Sequence, residues 1–445
     1  MASPKTKNAP PVAAANDPGS LPTGVEVIKR SRANEFFIAI VAPAGAGAGT
    51  AANVIRDFLA RAKIDDQPIE VSIIKASQAI RSWAGGRGLA VPDGAAGRKT
   101  LADMILMQDR GDDMRRETGD NAAVARASIK MIRERRAELS KKEEGVIDGK
   151  PRAYIIDSLR HPDEVHLLRS VYQDAFLLVG VVADPDSRDR RLRQLFDIKV
   201  RTKHETTKAI EDFVLRDADA DVPFGQHVTA AFHESDFFVD NSKDAQKDDL
   251  KNTEMNEPIR RFVDLITGSR ILRPKIEETA MHHAHSAKLR SACMSRQVGA
   301  AVVDVGGNIV ATGTNEVPMA GGGVYGEAES NSAVHDHRCV FRETKFCSSN
   351  REQNEIIDEL VDTFPALLQG QERAAVVQKI RETKLGGLIE FSRAVHAEMD
   401  ALLTAARIGV SAIGARLFVT TFPCHYCARH IVSAGVDEVQ YIEPY

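Results

Sequence analysis

Short, continuously apolar runs alternate along the first half of the chain with longer charged stretches whose apolar residues recur at helical spacing. Phe36-Phe37-Ile38-Ala39-Ile40-Val41, Glu70–Lys75, Arg152–Asp157, Ala175–Val182 and Asp236–Asp240 are the runs. A strand that is apolar at every position is one buried on both faces, so this rhythm predicts a doubly wound parallel sheet over residues 33–243. A polar stretch over 244–257 predicts a linker. After it, helices are expected over Pro258–Gly268 and Pro274–Met294. A β-hairpin is expected from Val298–Asp304 and Asn308–Gly313 around Gly306-Gly307. Helices over Ala394–Ile408 and Cys424–Ala434 alternate with strands over Ala415–Thr420 and Glu438–Ile442, which makes 258–445 a second α/β domain. An insertion over about 318–390, carrying a helix at Glu352–Leu368, interrupts it. Residues 1–32, rich in Ala, Pro, Asn and Ser, predict a disordered tail.

Composition narrows the function classes. The 445 residues include 59 basic and 63 acidic ones, a net charge of −4, which provides no global attraction for nucleic acid or anionic membrane. Aromatic residues at 5% are too sparse for single-strand stacking platforms. No apolar run approaches the ~18 residues of a membrane span, and the first residues lack a secretory core, so a cytoplasmic protein is expected. Five cysteines in so long a chain are too few for a disulfide framework and direct attention to metal binding or catalysis.

Two of those cysteines fall into a pattern with mechanistic content. His396-Ala397-Glu398 opens one predicted helix and Pro423-Cys424-His425-Tyr426-Cys427 opens the next, the spacing of a zinc nucleobase deaminase. At ~100° per residue Cys424 and Cys427 lie about 60° apart on one helical face, so both thiolates reach one ion. His396 is the third ligand. Glu398, about 200° from His396, is left free to carry protons, and the fourth position of the tetrahedron is left to water. A closed structural zinc site completed by His425 or His430 is the alternative, and it leaves the His-x-Glu order unexplained.

With these residues in place the chain resembles the cytidine deaminase superfamily, and more closely the deoxycytidylate deaminases. Arg296-Gln297-Val298-Gly299-Ala300, Thr312-Gly313-Thr314-Asn315-Glu316-Val317-Pro318, His396-Ala397-Glu398-Met399-Asp400-Ala401-Leu402 and Pro423-Cys424-His425-Tyr426-Cys427-Ala428 fall in that family's order. The resemblance implies an α/β/α sandwich, a Zn2+ cofactor, attack at C4 of cytosine, and a contact from Asn315 to deoxyribose or base. Two departures stand out. Asp400 occupies a position where asparagine is common, and the chain stops at Tyr445 where the family usually continues into a further helix and strand.

Following the first apolar run, Ala42-Pro43-Ala44-Gly45-Ala46-Gly47-Ala48-Gly49-Thr50 leads into a helical pattern. Gly45, Gly47, Gly49 and Thr50 are the candidate phosphate-cradling residues. Ala48 stands where a Walker A lysine belongs, so phosphoryl transfer is not expected, and a tight strand-to-helix turn without ligand is the alternative. Together with Asp157-Ser158-Leu159-Arg160-His161-Pro162, Val181-Val182-Ala183-Asp184-Pro185 and the arginines of 188–193, the loop resembles P-loop nucleotide kinases. Those arginines equally suit a solvated helix face.

The whole arrangement resembles bacterial anti-phage deoxycytidine nucleotide deaminases, which implies depletion of dCTP or dCMP on infection. It also implies a homo-oligomer, and a first domain that senses or restrains, through a regulatory nucleotide, an inhibitory RNA or another regulator. A nucleic-acid cytosine or adenosine deaminase is the runner-up. In the insertion, His335, His337, Cys339 and Cys347, with Cys293 across the fold, are candidates for a second zinc; reduced thiols and surface histidines are the alternative.

Overall fold

The computed structural model describes residues 34–92, 100–141, 148–196, 204–220, 222–243, 253–326, 336–343, 345–388 and 391–443. The expected tail, His335 and most of the expected linker lie outside them. The chain forms two compact units, 1–272 and 273–445.

In the first unit, β1 (Glu35–Val41) is buried at all seven positions. It lies between β5 (Arg152–Leu159) and β6 (Phe176–Val182), and β4 (Glu70–Lys75) and β7 (Phe237–Asp240) complete the order β4-β5-β1-β6-β7, every pairing parallel. A two-residue hairpin, β2 (Lys63–Ile64) and β3 (Gln67–Pro68), precedes β4. Alternate residues of β1 feed different cores, as the two-residue period requires. Phe36, Ile38 and Ile40 pack with Ile55 and Leu59 of helix Ala48–Leu59, while Phe37, Ala39 and Val41 pack with Ile132, Val165 and Leu168 on the opposite face. Strand order reverses on either side of β1, so the loop after β1 opens at the switch point where such sheets bind ligands.

Helix Thr253–Thr267 straddles the linker and second domain expected from the sequence. Its Met255, Ile259, Phe262 and Val263 recur at helical spacing and are buried in the same core as Ile38 and Ile55. Four such side chains contribute ~1.5–3 kcal/mol each on burial, which ties this helix to the first unit. The boundary between units accordingly falls at Leu272/Arg273 rather than at 257/258.

The second unit holds a four-stranded sheet of order β11-β10-β8-β9: β8 (Gly299–Val303), β9 (Ile309–Thr314), β10 (Arg416–Thr421) and β11 (Glu438–Glu443). β10 and β11 are parallel; the other neighbours are antiparallel. Helix Ile276–Lys288 covers one face through Ala280 and Ala284 against Ala301, Val303 and Phe418. Helices Ala397–Arg407 and His425–Ser433 cover the other through Ala401, Ala405 and Ile431 against Val302, Leu417 and Val419. The result is the expected α/β/α sandwich. The first of these helices ends at Lys288, six residues short of expectation, because the Ser291 hydroxyl donates to the Asn315 carbonyl and the Ala292 N–H to the Glu316 carboxylate. Among the described residues no helix is long and apolar enough to cross a membrane.

Candidate active site

His396 and Cys424 are the N-cap residues of the two helices on one face of the sheet, and Cys427 lies in the first turn of the second. Both helix N-termini therefore point their positive ends at the thiols, which favours thiolate. The His396 Nδ1 atom lies 3.3 Å from Cys424 Sγ and 3.4 Å from Cys427 Sγ, and the three ligand atoms all lie within 4.8 Å of one another. Hydrogen bonding from Cys427, opposed by burial and joined by His396, pulls the Cys424 thiol down to about 4. Its partner is pushed the other way, first by hydrogen bonding to Cys424 and then by burial. The pair thus holds a thiolate on Cys424. One imidazole and two soft sulfur donors in this compact set fit zinc, and three protein ligands suit an open rather than a closed site. His425 and His430, the residues that would close it, are both exposed.

Glu398 sits two residues beyond His396 in the first helical turn and is only 4% exposed. Burial is the largest influence on it and raises its pKa, the direction a proton carrier near neutrality needs. His396, Glu398 and Cys424 line a cavity of about 350 Å3. Other walls come from the end of β9 (Asn315, Val317), from the segment Ala292–Arg296 and from Arg393. The insertion supplies one more wall through Cys339, Ser348 and Gln353.

The hairpin fits the helix through a glycine. At Gly313 a Cβ would overlap the Ala397 carbonyl and the Ala401 N–H, so only glycine lets the hairpin lie against the start of the helix bearing Glu398. Asp400, unremarkable in sequence except as a departure, accepts the Thr314 N–H at 3.0 Å and ties the same hairpin to the same helix. Asn315 reaches the cavity, but its amide already accepts from Val298 N–H at 2.6 Å and donates to the Arg296 carbonyl at 2.5 Å. One amide hydrogen and one lone pair remain for a ligand. The neighbouring Glu316, also overlooked in sequence, is buried, accepts from Ala292 and Val317 N–H groups, and lies 3.7 Å from Arg338. Ala292 and Arg338, the partners that fix it across the fold, are distant in sequence, so no spacing signals it.

The candidate second metal cluster is not found among the described residues, which exclude His335. Among the described residues the His396, Cys424 and Cys427 set is the one grouping of metal-ligating side chains, and His335 lies outside them. Cys339 instead contacts the Ser348 hydroxyl at 3.2 Å, Cys347 caps helix Ser348–Thr363, and the His337 carbonyl accepts from Arg393. Cys293, Cys339 and Cys347 all line the catalytic cavity.

In the first unit, Gly45 (φ +81°) and Gly47 (φ +93°) take left-handed conformations, and Gly47 is the N-cap of helix Ala48–Leu59. A Cβ at Gly47 would overlap the Asn241 side chain, and one at Gly45 would lie 2.9 Å from the Arg188 carbonyl. Thr50 N–H donates to the Gly47 carbonyl. The arginine group divides: Arg188 and Arg191 reach the carbonyls of Ala44 and Gly45, whereas Arg193 pairs with Asp189 on its own helix. A cavity of about 470 Å3 opens beside the loop.

Residues 274–443 match the family described as the cytidine and deoxycytidylate deaminase zinc-binding region. The deoxycytidylate deaminase of Enterobacteria phage T4 is 29% identical over 174 residues, which cover 38% of this chain and 77% of that protein. ComE operon protein 2 of Bacillus subtilis (strain 168) is 43% identical over 54 residues, or 12% of this chain; the chain spans only 29% of that relative. Among solved structures, the dCMP deaminase of cyanophage S-TIM5 in complex with dCMP and dUMP is similar, at 25% identity and a TM-score of 0.23, over 39% of this chain and 86% of the other. Shikimate kinase from Acinetobacter baumannii is also similar, at 11% identity and a TM-score of 0.28, over 55% of this chain and 99% of the other.

Proposed function

Because residues 274–443 belong to the cytidine and deoxycytidylate deaminase zinc-binding family, we propose that the chain hydrolyses the C4 amine of deoxycytidine nucleotides, dCMP or dCTP, to release ammonia and the deoxyuridine nucleotide. The observation that carries this reading is the buried Glu398 beside a His396, Cys424, Cys427 donor set, with Glu398, His396 and Cys424 lining one cavity. Bound to that set, zinc supplies a Lewis acid that brings the pKa of water towards neutrality. The protein's own groups do the rest. Glu398 takes a proton from the attacking water and delivers it to ring N3, then takes the remaining hydroxyl proton of the tetrahedral adduct and delivers it to the amine, so that the C–N bond breaks, ammonia leaves and the C4 carbonyl forms. Asn315, fixed by Arg296 and Val298, offers its remaining amide hydrogen and lone pair to the deoxyribose or base.

A nucleotide substrate is favoured over a nucleoside by Arg393. It lines the cavity, donates to the His337 carbonyl, and has no acidic partner among the described residues, whereas Arg296 on the same wall is held by Glu443 at 2.6 Å. In this reading the glycine loop of the first unit is a regulatory nucleotide site, the chain acts in the cytoplasm as a homo-oligomer restrained by that nucleotide, an RNA or another regulator, and its activity depletes deoxycytidine nucleotides during phage infection. The deciding experiment measures ammonia release from cytidine, dCMP, dCTP and CTP by the zinc-loaded chain. Turnover of dCMP or dCTP is expected. Efficient turnover of free cytidine with none of either deoxynucleotide would return the enzyme to nucleoside salvage.

A further inference from the structure

The cavity beside the glycine loop has chemistry of its own. In its glycine loop the N–H groups of Gly45, Gly47, Ala48 and Gly49 have no acceptor among the described residues, and helix Ala48–Leu59 begins without a side-chain cap. Such an N-terminus is an anion site in need of an anion. Gln108, also in the lining and 5% exposed, has its Oε1 atom buried without a partner, while its Nε2 reaches the Gln226 side-chain amide oxygen Oε1 only at 3.5 Å. Both glutamines line the cavity. A buried amide oxygen with no donor costs stability, and it is satisfied by a ligand that brings one. The lining also carries Ile80, Met104, Met107 and Phe213, apolar side chains that suit a flat ring.

The charges limit how much phosphate the site can take. Ala48 replaces the lysine and Gly49 the magnesium-holding hydroxyl that polyphosphate sites use. Asp217 already occupies the Ala44 N–H at 2.8 Å and pairs with Arg160 at 2.5 Å, and Arg191 is engaged by the Gly45 and Asn241 carbonyls. Asp157 adds a second carboxylate to the lining. Among the described residues, bare amides remain for one phosphate, with no spare cation lining the cavity for three.

From this juxtaposition we propose that the cavity binds a nucleoside monophosphate, its phosphate on the amides of residues 45–49 and the donor edge of its base on the Gln108 amide oxygen. The inference sharpens the nucleotide reading of this loop and does not depend on the deaminase reading. It is a binding site only: the missing lysine leaves no means of moving the phosphoryl group.

The test is isothermal titration of the full zinc-loaded chain with inorganic phosphate, AMP, dUMP and ATP. At least one monophosphate should bind at one site per chain, tenfold or more tighter than either inorganic phosphate or ATP. Gln108→Leu should weaken that binding about tenfold and leave inorganic phosphate unchanged, with the melting temperature followed to confirm folding. Ala48→Lys, a change at a partly exposed loop position, should tighten ATP tenfold or more by restoring the missing charge. ATP binding tighter than both monophosphates in the unaltered chain would overturn the proposal. So would monophosphate binding indifferent to Gln108→Leu, or an Ala48→Lys variant with no gain.

Discussion

In the proposed reaction Glu398 moves protons at the reacting atoms without belonging to the donor set, so metal content and turnover should separate when it is replaced. Glu398→Ala is expected to keep zinc at one equivalent by metal analysis, since His396, Cys424 and Cys427 are untouched, and to lose roughly 10²–10⁴ in kcat. A variant that kept substantial ammonia release would remove the carboxylate from the proton path. Arg393 acts on binding instead. As a cation without an acidic partner among the described residues, it should raise KM for dCMP about tenfold when changed to Gln and leave kcat nearly unaltered, the signature of uniform binding. Equal KM values for both proteins would show that the phosphate lies elsewhere. His396, Glu398, Cys424 and Cys427 were legible in the sequence because their chemistry depends on spacings of two and three residues at helix starts. Asp400, Glu316 and Gln108 were not. Asp400 meets Thr314 across 86 positions and Gln108 meets Gln226 across 118, and no local pattern encodes such pairs.

Elements carry the precision that residues need. Because Gly313 lies against the backbone of Ala397 and Ala401, Gly313→Ala must displace the first turn of the helix holding Glu398 while leaving both cores largely intact. A misplacement of about 1 Å costs about a hundredfold in rate, so activity should fall by that order with a clearly folded protein by circular dichroism. Wild-type activity in that variant would show the contact to be slack. In the first unit His161 caps helix Pro162–Tyr172, accepting the Asp163 N–H at Nδ1, and burial, aided by Arg115, lowers its pKa. An unfolded histidine takes a proton near pH 6.5 that the folded one refuses. His161 therefore contributes stability that is present above about pH 6.5 and is lost as the pH falls towards its lowered folded value. His161→Asn keeps an N-cap acceptor and removes the titration, so its melting temperature should fall less between pH 7.5 and pH 5 than that of the parent. Parallel pH profiles for the two proteins would refute this. Strands were the most legible elements, since β1 and β5 are apolar enough to announce burial on both faces. The end of helix Ile276–Lys288 was hidden because the Glu316 carboxylate and the Ser291 hydroxyl accept the Ala292 and Cys293 N–H groups that a longer helix would have used.

For the molecule as a whole, two α/β units were readable from the rhythm of the chain, but their boundary was not. Polar residues over 244–257 resemble a linker, and only packing reveals that Met255, Ile259, Phe262 and Val263 complete the first core. Each unit presents helix N-termini at the end of a sheet, yet the two differ in what they could catalyse. The second unit places a proton carrier beside a metal donor set. The first surrounds its loop amides with Asp157, Asp217 and arginines already bound to carbonyls, and Ala48 brings no charge to a transferring phosphate. Phosphoryl transfer draws nearly all its acceleration from positioned positive charge, so one unit should turn over and the other should only bind. Incubated with both ATP and dCMP, the zinc-loaded chain is expected to release ammonia continuously and no inorganic phosphate or ADP above the uncatalysed background. Ammonia release should stop after zinc is stripped with a chelator and resume when zinc is restored. ATP hydrolysis that survives repurification and disappears on Gly47→Val would show that the arginines around the loop stand in for the missing lysine, and would make the first unit an enzyme as well.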